Sequence, residues 1–146
     1  MMTLTPPSPA LGLVGAPYKR GGTDAAEGFD CFTLLAHVRR VYYGRKTPHA
    51  GIPSPALPAA QACALAIYRA TGGREHLNHL WTPTDPVDGC AVAMANSKFR
   101  RLHHCGVLVA DVVLHALNGC GVVASPLDRV WYLYPRVEFY ECRSWS

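Results

Sequence analysis

From Cys90 onward the chain breaks into short apolar segments separated by tight turns, a pattern that leaves few folds open. Ala91-Val-Ala-Met94, Cys105-Gly-Val-Leu-Val109, Val112-Val-Leu-His115-Ala116 and Gly121-Val-Val-Ala124 each have strand-forming composition. Ala110-Asp111 reads as a tight turn and Asn118-Gly119 as a hairpin signal. Residues 130–140 read as a final strand pair or one bent strand, with Pro135 at the bend or on an edge. Ahead of these strands lie two helical stretches. In the first, apolar residues recur after Cys31 at Leu34, Leu35, Val38, Val41 and Tyr42, the spacing of one helical face, and Gly44 fits its C-cap. The second runs from about Pro58 to Thr71, is rich in alanine and stops at Gly72-Gly73. Helices first and neighbouring strands after them predict an α+β fold, with N-terminal helices packed on an antiparallel β-sheet.

The 146 residues suffice for one domain with a real core. Residues 1–14 are a Pro-rich stretch expected to be an extended lead-in, and 15–146 form the single domain. An apolar fraction of 49% against 16% charged residues excludes a disordered chain. No apolar run approaches the ~20 residues that a membrane helix needs, so no membrane insertion is expected. The N-terminus lacks the charged start and apolar stretch of a secretory signal, which implies synthesis in a cytoplasm and carriage by other means if the protein acts elsewhere. The net charge of +4 includes the pairs Arg39-Arg40, Arg45-Lys46 and Arg100-Arg101, read as solvated faces. No nucleic-acid motif accompanies them, and no nucleic-acid partner is expected. Six cysteines, at 31, 63, 90, 105, 120 and 142, contain no C-x-x-C pair and read as reduced thiols. His76-x-x-His79 and His103-His104-Cys105 are too sparse for a metal assignment, so neither metal nor cofactor is expected.

Cys31 stands apart from the other five. It opens the first helix directly after Gly28-Phe-Asp30, and Asp30 is the expected N-cap. A thiol there sits near unpaired backbone N–H groups and the positive end of the helix dipole. Such an environment favours the thiolate and can bring a cysteine from about 8.5 into the range of about 3.5–7.5. A cysteine nucleophile also needs a base, and the base needs a third group to orient it. His104 opens one strand and His115 lies near the end of the next. Antiparallel pairing through the Ala110-Asp111 turn makes them cross-strand neighbours, so His115 is placed to orient His104. His103 competes for the base role, because strand alternation turns one of the two adjacent histidines away from the thiol.

These residues carry a resemblance. Gly15-Ala-Pro-Tyr18…Gly21-Gly22, Gly28-Phe-Asp30-Cys31, His104-Cys-Gly-Val-Leu-Val109 and Val113-Leu-His115-Ala116…Gly119-Cys-Gly121-Val-Val123 resemble, in that order, the NlpC family of papain-like cell-wall cysteine peptidases. The variety carried in phage tails is the nearest in pattern, and the likeness spans roughly residues 12 to 141. It implies a papain-like fold with Cys31 as nucleophile, His104 as general base and later acid, and His115 as the orienting residue. Tyr18 then matches a tyrosine lining the substrate site, and Asp30 an aspartate that helps receive the amino end of a stem peptide. The implied activity is hydrolysis of the γ-D-glutamyl bond to a diamino acid in peptidoglycan. The implied partners are stem peptides and phage tail-tip proteins; the implied setting is synthesis in a bacterial host and action from a virion tail in the cell-wall compartment.

The chain departs from the family pattern at Phe32-Thr33, where wall-maintenance members carry Ser-Gly, and at Gly89-Cys90, where Gly-Asp is usual. An aromatic at position 32 fits the tail branch; Thr33 adds bulk between helix and sheet. A catalytically silent tail-assembly protein that keeps the peptidase fold is the alternative reading. More remote is an acyltransferase or amidase acting on another amide.

Overall fold

A computed structural model of the chain describes residues 8–45, 47, 82–96 and 104–141. The expected second helix over 58–71, together with His76, His79 and His103, lies outside these residues. The described elements are β1 (Thr23–Asp24), β2 (Gly28–Phe29), α1 (Cys31–Tyr43), β3 (Thr82–Pro83), β4 (Ala91–Ala95), β5 (His104–Val109), β6 (Val112–Leu117), β7 (Gly121–Pro126), α2 (Leu127–Leu133) and β8 (Arg136–Glu141). β1 and β2 form a small hairpin, and the other six strands form an antiparallel sheet in the order β3-β8-β4-β5-β6-β7. The expected α+β architecture is observed.

Among the described residues, each sheet face carries one α-helix. On one face Leu34, Leu35 and Val38 of α1 pack with Cys105, Val107, Val109, Leu114 and Ala116, all buried. On the other, Val130 of α2 joins Cys90, Val92, Met94, Leu108, Val113 and Phe139. Full burial of each branched side chain contributes about 1.5–3 kcal/mol, so these two layers hold the fold. The apolar stripe of α1 is narrower than its sequence suggests, since Val41 is 48% exposed. Arg39 is the residue buried in the same helical stretch, contrary to its reading as part of a solvated pair. Its guanidinium donates to Thr47 Oγ1 at 3.1 Å, the Gly89 carbonyl at 2.7 Å and Glu141 at 2.6 Å, which ties the end of α1 to the sheet. Gly44 ends the helix in the left-handed region at φ 64°, as expected of a C-cap glycine.

Two segments differ from their reading. Within the stretch expected to be extended, Pro9–Leu13 form a 3-10 helix. A proline in its first positions presets φ, the Ser8 hydroxyl accepts from Ala10 N–H, and Ala10 and Leu13 dock into the core. Residues 130–133, read as strand, belong to α2. Pro126 supplies a fitting entry φ of −54°, Asp128 complements the helix dipole, and Val130 is the single buried anchor. Tertiary context overrides the β-propensity of Val130-Trp131-Tyr132, leaving Trp131, Tyr132 and Leu133 exposed. The strand begins only after Pro135, which has no N–H to give a ladder.

Candidate active site

The thiol end is built by short-range bonds. Asp30 caps α1 in a reciprocal capping box: its Oδ1 accepts from Thr33 N–H at 2.8 Å, and Thr33 Oγ1 accepts from Asp30 N–H at 2.9 Å. Thr33 is therefore part of the cap rather than a bulk placed between helix and sheet. The other Asp30 oxygen accepts from Gly21 N–H at 2.7 Å, fastening the Gly21-Gly22 loop beside the helix start. Cys31 follows as the first helical residue, 1% exposed, where the dipole of the 13-residue helix is positive. Beneath it, Cys105 Sγ donates to the Cys31 carbonyl at 3.4 Å and fixes the height of the helix start above β5. Tyr18 lies alongside: Lys19 N–H donates to the Phe29 carbonyl and Phe29 N–H to the Pro17 carbonyl, both at 3.0 Å, which brackets Tyr18 next to the Phe29-Asp30-Cys31 turn.

The imidazole end is built by register. His104 Nε2 and His115 Nδ1 are 2.8 Å apart, and both residues are buried. They are diagonal rather than directly opposed neighbours. β5 and β6 pair Val107 with Leu114, so carrying the register one step further puts His115 opposite Gly106. The glycine makes the diagonal contact possible. A Cβ at position 106 would lie 2.6 Å from the Leu114 carbonyl oxygen, 2.8 Å from Val113 Cγ1 and 3.0 Å from His115 Cβ. On the far side, His115 Nε2 lies 2.8 Å from Ser125 Oγ. β6 and β7 pair His115 with Val123 and Val113 with Ser125, so this step is diagonal too, in the same sense. Diagonal neighbours are within reach only of longer side chains, and an imidazole meets that condition. Tyr134, the residue that ends α2, stacks on the His104 ring with centroids 5.6 Å apart and planes inclined by 24°, and meets His115 edge-on.

Electrostatics join the two ends. Burial is the main cause that pushes His115 down to about 4, the neighbouring His104 adds to it, and Cys31 acts in the opposite direction. His115 is thus neutral across the physiological range. Burial also raises Tyr134, and the charge of Cys31 raises it further, so the thiol lies within electrostatic reach of both rings. With His104 Nε2 engaged by His115, the other ring nitrogen of His104 is Nδ1.

Cys31, His104 and His115 thus converge, with Tyr18 and Asp30 on the helix-start side. Ser125 and Tyr134 were not foreseen. Extending the β6–β7 register would have pointed to Ser125, whereas Tyr134 was hidden by the strand reading of its segment. Among the described residues, no three His, Cys, Asp or Glu side chains gather as a metal site, and no helix is long and apolar enough to cross a membrane.

The sequence matches no protein-family profile and no curated protein. In three dimensions the chain is similar to the crystal structure of the NlpC/p60 domain of the peptidoglycan hydrolase SagA, with a TM-score of 0.51 and 17% sequence identity. The match covers 89% of this chain and 91% of that one. On this likeness the chain has the papain-like α+β fold of NlpC/p60 domains.

Proposed function

We propose that the protein is a cysteine peptidase that hydrolyses peptidoglycan stem peptides at the γ-D-glutamyl bond to a diamino acid, carried by a phage or phage-like tail. The observation that carries this reading is the His104–His115 hydrogen bond of 2.8 Å, with Cys31 at the N-terminus of α1 near enough to act electrostatically on His115. The SagA domain, which comes from a peptidoglycan hydrolase, supports the substrate class. Phe32 after Asp30-Cys31 supports the tail setting, with tail-tip proteins as partners and the cell wall as the place of action.

In this mechanism His104 Nδ1 takes the thiol proton, and the Cys31 thiolate attacks the amide carbonyl carbon. The resulting oxyanion is held in part by the backbone N–H at the start of α1. Collapse breaks the C–N bond as the His104 imidazolium gives its proton to the leaving amine. His104 then deprotonates a water, which attacks the thioester and releases the acid and the Cys31 thiol. Asp30 already binds two backbone amides, so its remaining lone pairs and Tyr18 receive the amino end of the peptide. Mass spectrometry of defined stem peptides incubated with the wild type and with Cys31→Ala tests the proposal. Cleavage by the wild type alone is expected; intact peptides with both would favour a silent tail-assembly protein.

A further inference from the structure

We infer that Ser125 is a positioning residue, whose hydroxyl accepts the His115 Nε2 proton and thereby holds His115 in the tautomer that lets His104 act on the thiol. The inference rests on the catalytic reading of Cys31 and His104 and goes beyond it, since it adds a strand and a residue to the site.

His104 can accept from Cys31 only if its Nδ1 is bare. A neutral His104 then carries its proton on Nε2 and donates it to His115 Nδ1, 2.8 Å away. His115 Nδ1 must therefore be an acceptor, and the proton of neutral His115 sits on Nε2. That proton needs a partner, because His115 is 1% exposed and a buried N–H without an acceptor is costly. Ser125 Oγ, at 2.8 Å, meets the need. In the opposite tautomer Ser125 donates to Nε2, His115 donates from Nδ1, and His104 is left with its proton on Nδ1, facing the thiol as a donor. That state has no base. A hydroxyl can serve either tautomer; once Cys31 has given up its proton, the imidazolium on His104 donates from Nε2 and the acceptor tautomer of His115 is the one that fits, and Ser125 holds that tautomer by supplying the acceptor its Nε2–H needs. The groups facing His115 are His104 on β5, Ser125 on β7, Tyr134 after α2 and Cys31 on α1. Ser125 Oγ is the group at hydrogen-bond distance from Nε2. The three residues form one line across β5, β6 and β7, each displaced by two positions from the residue directly opposite.

Two readouts need no substrate. ¹⁵N chemical shifts of the histidine rings report which nitrogen of His115 is protonated, and the pH profile of Cys31 alkylation by iodoacetamide reports the thiolate. In the wild type His115 should carry its proton on Nε2. Ser125→Ala should weaken that preference and slow Cys31 alkylation near neutral pH by about three- to tenfold, the weight of one hydrogen bond. On stem peptides it should lower kcat by a similar factor and leave KM unchanged. Ser125→Thr, which keeps the hydroxyl on a strand-compatible residue, should restore all of these. A wild-type His115 protonated on Nδ1, or a Ser125→Ala protein with unchanged ring shifts and unchanged alkylation, would overturn the inference. If stem peptides stay intact while Ser125→Ala still moves the ring shifts and alkylation, the substrate assignment fails and the positioning role stands.

Discussion

Asp30 and Thr33 hold the start of α1 with two hydrogen bonds that span three residues, whereas His104, His115, Ser125 and Tyr134 meet only because three strands and a helix end are in register. The first half of the site is a property of one short stretch of chain. The second is a property of the sheet, and a shift of one residue in β5 would turn His104 to the other face. Damage to the local half should therefore be graded and read mainly as stability. Damage to the sheet half should be steep and read mainly as activity.

The largest effects are expected where the halves meet. Cys31→Ala should abolish hydrolysis of stem peptides with the fold intact, because it removes the nucleophile and little volume. His104→Ala should cost about 10²–10⁴-fold from acid–base catalysis, and more through lost support for the thiolate. Circular dichroism alongside the cleavage assay checks both, and near-normal turnover in a folded Cys31→Ala protein would remove the peptidase reading.

Gly106→Ala is the sharpest test of the register argument, since it adds one methyl group and touches no reacting atom. The new Cβ would meet the Leu114 carbonyl oxygen and His115 Cβ, which cannot swing aside, as well as Val113 Cγ1. We expect a loss of about 1–3 kcal/mol in stability from overpacking and a large fall in kcat as His115 is pushed off its diagonal. A variant as active as the wild type would mean that the histidine pair does not depend on the empty position opposite His115.

The sheet half should also make stability depend on pH. His115 titrates at about 4 in the folded protein, below the ordinary 6.5, so between those values the unfolded chain binds more protons. Stability is then full above pH 6.5, declines as pH falls toward about 4, and loses nothing further from this group below that. Over the window the loss is on the order of 3 kcal/mol. Urea unfolding at several pH values should show this slope, and His115→Asn should flatten it. The same variant should keep more activity than His115→Ala, because its amide oxygen can still accept from His104. Combined with His104→Ala, a loss of His115 should cost little more, as residues acting as a unit are not additive.

The same division governs what could be read from the chain. Asp30-Cys31, the helical spacing of Leu34, Leu35 and Val38, and the stop at Gly44 are signals contained in neighbouring residues, and each corresponds to an observed feature. β4 to β7 were also legible, since turn residues bound them and composition fills them. The pairing of His104 with His115 was readable as proximity but not as a diagonal, because that depends on which residue of β6 faces Gly106. Ser125 and Tyr134 enter through longer-range order. Val130-Trp131-Tyr132-Leu133 has the composition of a strand, and only burial of Val130 against the second sheet face makes it a helix. Arg39 shows the same limit: helical spacing puts it on the flank of the apolar face and Arg40 on the opposite side, but acceptors at residues 47, 89 and 141, distant along the chain, are what allow its charge to be buried.

The smallest expected effect lies in the local half. Thr33→Val keeps the shape of the side chain and removes the hydroxyl that accepts from Asp30 N–H, while Thr33 N–H still donates to Asp30 Oδ1. Half the capping box survives, so the cost should be about 1 kcal/mol, the scale of one cap interaction. Thr33→Ser keeps the hydroxyl and should stay closer to the wild type. Asp30→Ala should cost more than Thr33→Val, because it releases both the Thr33 and the Gly21 amides. Chemical denaturation of the three variants gives this order directly. The comparison becomes sharp when Cys31 alkylation is followed in parallel. If the helix start is set locally, Thr33→Val should leave the alkylation rate within about twofold of the wild type despite its lower stability, since a helix of this length keeps its dipole when one capping bond is lost. A drop as large as that of Ser125→Ala would mean that the thiol end depends on Thr33 as closely as the imidazole end depends on its register.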